Sequence, residues 1–291
     1  MLILNNKYKN KARLEAMNKT LKQLNLEDDF LFAKVMSDKG ICKELLEKIL
    51  EIEIEKVEMI EEQKTIDVLL ESKGIRLDVY VKDENNTIYN VEMQRGKHKN
   101  LPRRLRYYQG SIDLDLISKG EDYRKLAKSY IIFICTFDLF DKGRHKYTFQ
   151  NLCLEDNSII LNDEAEKIIL NTKGIMKDLS EELLEFLEYV ENSTDDTVKH
   201  SKGKLVKNIH KRVQEVKNDI SVEVEFMTLL ERDREKIEEG REAGREEAIK
   251  QLILKQYSKG LSIEYIAEIN EFDIEYVRDV VKNNISKIDN N

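Results

Sequence analysis

The chain has 291 residues, with 49 basic against 57 acidic side chains and a formal charge of −8. Apolar residues make up 41 %, enough for a core and against general disorder, while charged residues reach 36 % where about 25 % is usual. Eleven glycines and one proline exclude collagen-like and proline-rich chains and argue against a turn-dense sandwich or barrel; the acidic balance argues against a histone-like binder but does not exclude a local basic groove.

Residues 1–25 are polar and read as a loosely attached leader. Phe30, Val35, Leu45, Leu46, Ile49 and Leu50 then recur at helical spacing, with Asp28 or Asp29 placed to cap and Gly40 as the interruption between two short helices. Strands follow at Thr65–Glu71, ending in Ser72-Lys73-Gly74, and at Ile75–Lys82 and Ile88–Gln94 around the hairpin signature Asp83-Glu84-Asn85-Asn86-Thr87. Leu101–Ile117 reads as a helix with Pro102 in its first turn. Tyr130–Phe137 is a continuous β-branched and aromatic run, as in a strand buried on both faces.

Beyond about residue 160 the pattern is helical, at Glu164–Ile169, Ser180–Glu191 and Lys204–Leu230. Residues 223–247 hold ten acids against five bases, an exposed stalk. Two short helices close the sequence around Asn270-Glu271-Phe272-Asp273, capped by Ser262 and Asp273. No apolar run approaches the ~18 residues that span a bilayer, and Cys42, Cys135 and Cys153 form no CxxC pair, so a soluble cytoplasmic protein with reduced thiols is expected.

The chemistry concentrates in two strands. If the hairpin pairs residues whose numbers sum to 170, Val79 faces Val91 and Leu77 faces Met93 on one face, and Asp78 faces Glu92 on the other, with Gln94 two residues along. A one-residue slip would mix the apolar and polar sets. Two carboxylates that close repel unless they share a proton or a cation, and Mg²⁺ takes one or two carboxylates while keeping several waters. An ordinary solvated hairpin face would carry the same residues. The next segment tips the balance: Gln94–Tyr108 contains Arg95, Lys97, Lys99, Arg103, Arg104 and Arg106, no acid, and the adjacent Tyr107 and Tyr108. Bases interleaved with aromatics suit a nucleic-acid backbone. His98, His145, His200 and His210 have no metal-type spacing, Asp113 and Asp115 are expected to pair with the arginines of their helix, and the acidic Ile263–Val281 region is expected to serve packing or self-association.

The order helix, three strands, helix, strand, with an Asp at the second strand and Glu-x-Gln ending the third, resembles the PD-(D/E)XK nuclease superfamily. The nearer likeness is to its Rpn-like branch of recombination-promoting nucleases and putative transposases. The segments that carry it are Asp28-Asp29-Phe30-Leu31-Phe32, Arg76-Leu77-Asp78-Val79, Asn90-Val91-Glu92-Met93-Gln94, Arg104-x-x-Tyr107-Tyr108, Gly120-Glu121-Asp122-Tyr123 and Phe137-Asp138-Leu139-Phe140. The resemblance implies an α/β core of α-β-β-β-α-β order followed by an α-helical C-terminal region. It also implies a Mg²⁺- or Mn²⁺-dependent DNA endonuclease linked to recombination or transposition.

By position, the resemblance implies Asp78 and Glu92 as metal ligands, joined by the Met93 carbonyl, and Gln94 where most of the superfamily has lysine. Lys97, Lys99, Arg103, Arg104, Arg106 and Tyr108 are the expected DNA contacts, and a first-helix acid is either Glu44 or Glu47. The expected organisation is a leader (1–25), a nuclease-like domain (26–155), a helical extension (156–235) and an acidic stalk with two short helices (236–291). A dimer through the C-terminal helices would serve to cut both strands. The rival expectation is a nuclease fold of weak or no activity that binds DNA or a partner protein.

Overall fold

The computed structural model describes residues 19–62, 65–66, 75–97 and 100–284. They form two compact units, one ending at Phe226 and the other beginning at Met227, with the boundary inside a single long helix.

The first unit is built on a six-stranded mixed sheet. Its strands are β1 (Val57–Glu62), β4 (Val79–Asp83), β5 (Ile88–Gln94), β6 (Ser129–Cys135), β7 (Lys146–Phe149) and β8 (Ala165–Asn171); β2 (Thr65–Ile66) and β3 (Ile75–Arg76) pair separately. Across the sheet the order is β1-β4-β5-β6-β8-β7. β4 and β5 are antiparallel with Val79 opposite Val91 and Lys82 opposite Ile88, the register in which residue numbers sum to 170. Their turn is fixed by Asp83, whose carboxylate accepts from the Asn85 and Thr87 amides and the Tyr89 hydroxyl. β6 runs parallel to both β5 and β8, and all seven of its residues are buried. That is the environment its apolar run calls for.

Two helices, α1 (Asp29–Met36) and α2 (Lys39–Leu50), precede the sheet, and α3 (Leu101–Leu116) covers one face of it. α3 sets Leu101, Leu105, Tyr108 and Ile112 against Ile88, Ile131, Phe133 and Cys135. The break before α2 falls at Ser37 and Asp38, whose carboxylate caps the Gly40 and Ile41 amides, so Gly40 lies in the first turn of the second helix. Helices α4 (Glu181–Glu191), α5 (Asp195–His200) and α6 (Lys204–Asn218) complete this unit. In the second unit, the end of α7 (Ile220–Ser258) packs with α8 (Ile263–Asn270) and α9 (Ile274–Lys282) around Ile253, Ile266, Val277 and Val280. Ser262 and Asp273 are the N-caps, as the sequence predicts.

Several expectations need correction. Residues 164–169 are not helical; Ala165–Asn171 is β8, because a short Ile-Ile-Leu run beside β6 gains a parallel ladder and burial on both sides. The sheet therefore continues past residue 155. The single strand at 75–82 is broken at Leu77 and Asp78, the helix at 204–230 is interrupted at Asp219, and β1 and β7 are additional strands. Of the strand at Thr65–Glu71, only Thr65–Ile66 lies within the described residues. Residues 19–25 are not loosely attached: Leu21 and Leu24 are buried, and Asn25 Nδ2 donates to the Glu191 carbonyl across the unit. Residues 1–18 lie outside the described residues.

Candidate active site

The ladder between β4 and β5 ends at Val79, and the chain bends at Asp78 instead of continuing the pairing. There each carboxylate takes hold of the other strand's backbone. Asp78 Oδ2 accepts from the Met93 amide at 3.0 Å, and Glu92 Oε1 accepts from the Asp78 amide at 3.1 Å. The two acids are thus brought together, as the register requires, but by a reciprocal side-chain grip in place of strand pairing. Leu77, expected beside Met93, instead joins the core under α3.

The face carrying these acids is buried. Glu92 is only 3 % exposed, and Ile88, Asn90 and Gln94 on the same side of β5 are buried with it, α3 lying over that face. Burial, and next the charge of Asp78, push the Glu92 carboxyl well above the ordinary carboxylate range, while the Asp78 amide and then Arg104 act against the rise. An electrostatic deficit of this kind is what a bound cation removes.

Arg104 and Tyr108, expected to contact DNA, both turn inward. The Arg104 guanidinium donates to Gln94 Oε1 and to the Tyr108 hydroxyl at 3.0 Å, and lies 5.4 Å and 5.5 Å from the Tyr108 and Phe133 ring centres. Tyr108 is buried against Phe133, so its ring has no face left for a base. The cause is helical spacing: residues 104 and 108 share the stripe of α3 that includes Leu101, Leu105 and Ile112. Arg103 and Arg106 fall on the outer face, exposed, and neither forms an ion pair among the described residues. Lys97 is held by Asp141 at 2.9 Å; Lys99 and His98 lie outside the described residues.

Gln94 is engaged at both ends of its amide, accepting from Arg104 and donating through Nε2 to the Gly96 carbonyl at 3.2 Å. Just beyond it, Arg95 reaches Asp28 at 2.5 Å and Glu27 at 3.4 Å. Asp28 is buried, and burial raises the Glu27 carboxyl despite the nearby Arg95. Thr136 adds a backbone bond to the Gln94 carbonyl and a hydroxyl bond to that of Arg95. Nothing in the sequence pattern announces this anchor of β5. Asp28 is legible as a cap, but its partner is 67 positions away.

Glu44 and Glu47 are both committed elsewhere: Glu44 accepts from Asn208, and Glu47 from the Ile54 amide and Lys43. Asp113 accepts from Gln109, not from an arginine. His145 bonds Asp178, His210 lies between Tyr189 and Asp195, and His200 meets the Asp196 carbonyl. Cys42 and Cys135 are buried, their thiols pushed up to about 12 by burial, whereas Cys153 is half-exposed beside Glu155. Among the described residues no group of three or more His, Cys, Asp or Glu side chains gathers as a closed cage would need. A donor set of two carboxylates matches an ion that keeps much of its water, Mg²⁺ or Mn²⁺, and does not match structural zinc. No helix among the described residues is long and apolar enough to cross a membrane.

A family model described as PD-(D/E)XK nuclease family transposase matches residues 26–253. No curated protein and no solved structure matches the chain.

Proposed function

Because the chain belongs to the PD-(D/E)XK nuclease family transposases, we propose that it is a metal-dependent DNA endonuclease. It hydrolyses phosphodiester bonds during recombination or transposition of mobile DNA. The observation that carries this reading is the mutual grip of Asp78 and Glu92. It holds two carboxylates together in a buried setting that raises one of them, an arrangement of little use to a polar hairpin face.

Asp78 and Glu92 would hold a Mg²⁺ or Mn²⁺ ion, with the Met93 carbonyl as a further oxygen. When bound, the ion polarises the phosphoryl oxygen and lowers the pKa of a water. The chain's own residues do the rest. The Asp78 and Met93 amides fix one oxygen of each acid, so the carboxylates keep their orientation without the ion. Arg104 sets the Gln94 amide and spreads positive charge toward Glu92. Gln94 has a second N–H to offer a water or a phosphate oxygen, but an amide is no base, so proton removal falls to solvent or to the phosphate. Arg103 and Arg106 present exposed charge to the DNA backbone, whose phosphates dominate affinity. Tyr108 and Arg104 support the site from within. A dimer, with the C-terminal helices as the expected contact, would serve the two strands of a duplex.

The fixed Gln94 in the place of a lysine favours the second reading, a nuclease fold that binds DNA and cuts slowly or not at all. Supercoiled plasmid with Mg²⁺ or Mn²⁺ separates the two. Nicking or linearisation by the wild type, lost in Asp78→Ala and Glu92→Ala while DNA binding survives, supports the nuclease. A folded, DNA-binding wild type that leaves the plasmid intact supports the second reading, and cutting that persists in both variants refutes the residue assignment.

A further inference from the structure

Between β7 and β8 the chain leaves the sheet as an irregular arm, residues 150–163. Leu152 bridges Ile160, the Cys153 amide donates to the Ile159 carbonyl, and the Leu161 amide donates to that of Asn151. Bridged residues share a face, so Leu152 and Ile160 lie on one side of the arm and Ile159 and Leu161 on the other, while Leu154 stands in the bend just beyond the bridge. Both sides and the bend are bare: Leu154 is 89 % exposed and Leu161 66 %, with Ile159, Leu152, Ile160 and the adjoining Phe149 also exposed. An isolated two-stranded hairpin is marginal in water and gains stability when an apolar face is covered. At about 180 Å² per fully exposed side chain, these six leave roughly 600 Å² of apolar surface bare, the upper end for a monomer and most of the ~800 Å² per partner of a stable interface.

The arm continues an open sheet edge. β7 is the outermost strand. The Asn171 amide bonds the His145 carbonyl, so by alternation the backbone groups of Tyr147 and Phe149 face β8 while those of Lys146 and Thr148 point outward. Charge identifies what covers the edge. From Tyr147 to Glu166 there is no basic residue, and Glu155, Asp156, Asp163, Glu164 and Glu166 are acidic, which repels DNA. Immediately before β7 stand Lys142 and Arg144, both exposed, Arg144 lying 3.7 Å from Asp178, while Lys146 opens the strand and donates to the Ile49 carbonyl. An antiparallel pair of β7 strands related by a twofold axis sets the basic flank of one copy against the acidic arm of the other, twice.

We propose that the β7 edge and the 150–163 arm form a twofold interface with a second copy of this chain, joining the two sheets edge to edge. This contact lies within the catalytic unit, independent of any contact through the C-terminal helices and of whether the protein cuts DNA.

The test is sedimentation velocity of the full chain, with hydrogen exchange read at two concentrations. A wild-type dimer is expected, with amides of residues 148–161 exchanging more slowly at the higher concentration. Leu154→Asp, at a side chain almost wholly in solvent, raises the dimer Kd at least tenfold. Lys142→Glu with Arg144→Glu, and separately Glu155→Lys with Asp156→Lys, each weaken the dimer, and mixing the two proteins restores it. A monomeric wild type overturns the proposal. So does a dimer whose arm exchange ignores concentration, or one that Leu154→Asp leaves intact.

Discussion

Replacing Arg104 by Met tests whether this arginine is part of the site's scaffold. The side chain makes two hydrogen bonds, to Gln94 and Tyr108, and its charged head lies by two aromatic rings. Hydrogen bonds that involve a charged group are worth about 1.5–3 kcal/mol each, and a partly desolvated cation–π contact about 0.5–2 kcal/mol. Met recovers the packing of the aliphatic stem, and Arg104 is only half-buried, so the lower ends of these ranges apply. A net loss of about 3 kcal/mol follows, which at ~2–4 °C per kcal/mol lowers Tm by roughly 6–12 °C. Urea denaturation followed by circular dichroism reads the difference directly. A loss below about 0.5 kcal/mol, the range of ordinary surface changes, refutes the inward role.

Glu92 is raised in the folded state, so the native protein keeps a proton that the unfolded chain releases. Its contribution to stability is therefore greatest at low pH and falls as pH rises from the unfolded pKa toward the folded one, by about 1.4 kcal/mol for each pH unit between them. Glu92→Gln flattens that decline, and without divalent metal it is more stable than the wild type at pH 8; a less stable variant there sinks the electrostatic account. Arg103→Ala with Arg106→Ala weakens duplex binding across 50–200 mM salt and reduces the slope of log K against log salt by about 0.9 for each phosphate that is no longer neutralised, whereas Arg104→Met leaves that slope unchanged. Asp28→Ala takes from the partly exposed Arg95 the nearer of its two carboxylates and from the Asn25 amide its acceptor, and costs about 1–2 kcal/mol in urea denaturation, a value near zero meaning that the anchor of β5 is dispensable.

The hairpin register is legible in the sequence because it is a local problem. Two apolar sets of period two admit one alignment, and the Asp83-to-Thr87 turn supplies the reversal, so Val79 meets Val91 and the two acids fall at one end. β6 is legible for a related reason, since a seven-residue apolar strand needs cover on both sides. Caps such as Ser262 and Asp273 are equally local.

Where each surface faces depends on packing between elements far apart in the sequence. A run of bases looks like one patch in sequence, yet α3 divides it, turning Arg104 half-buried and Tyr108 buried toward the sheet and leaving Arg103 and Arg106 exposed, because helical phase is set by what the helix packs against. The run Ala165–Asn171 carries an apolar density that suits helix or strand, and its place beside β6 settles it as a strand. Asp28 and Arg95, far apart in sequence, meet because the first helix and the end of β5 occupy one corner of the sheet. Periodicity fixes which side chains share a face. Only the assembled fold fixes whether that face meets water, a helix, or the carboxylate of a distant strand.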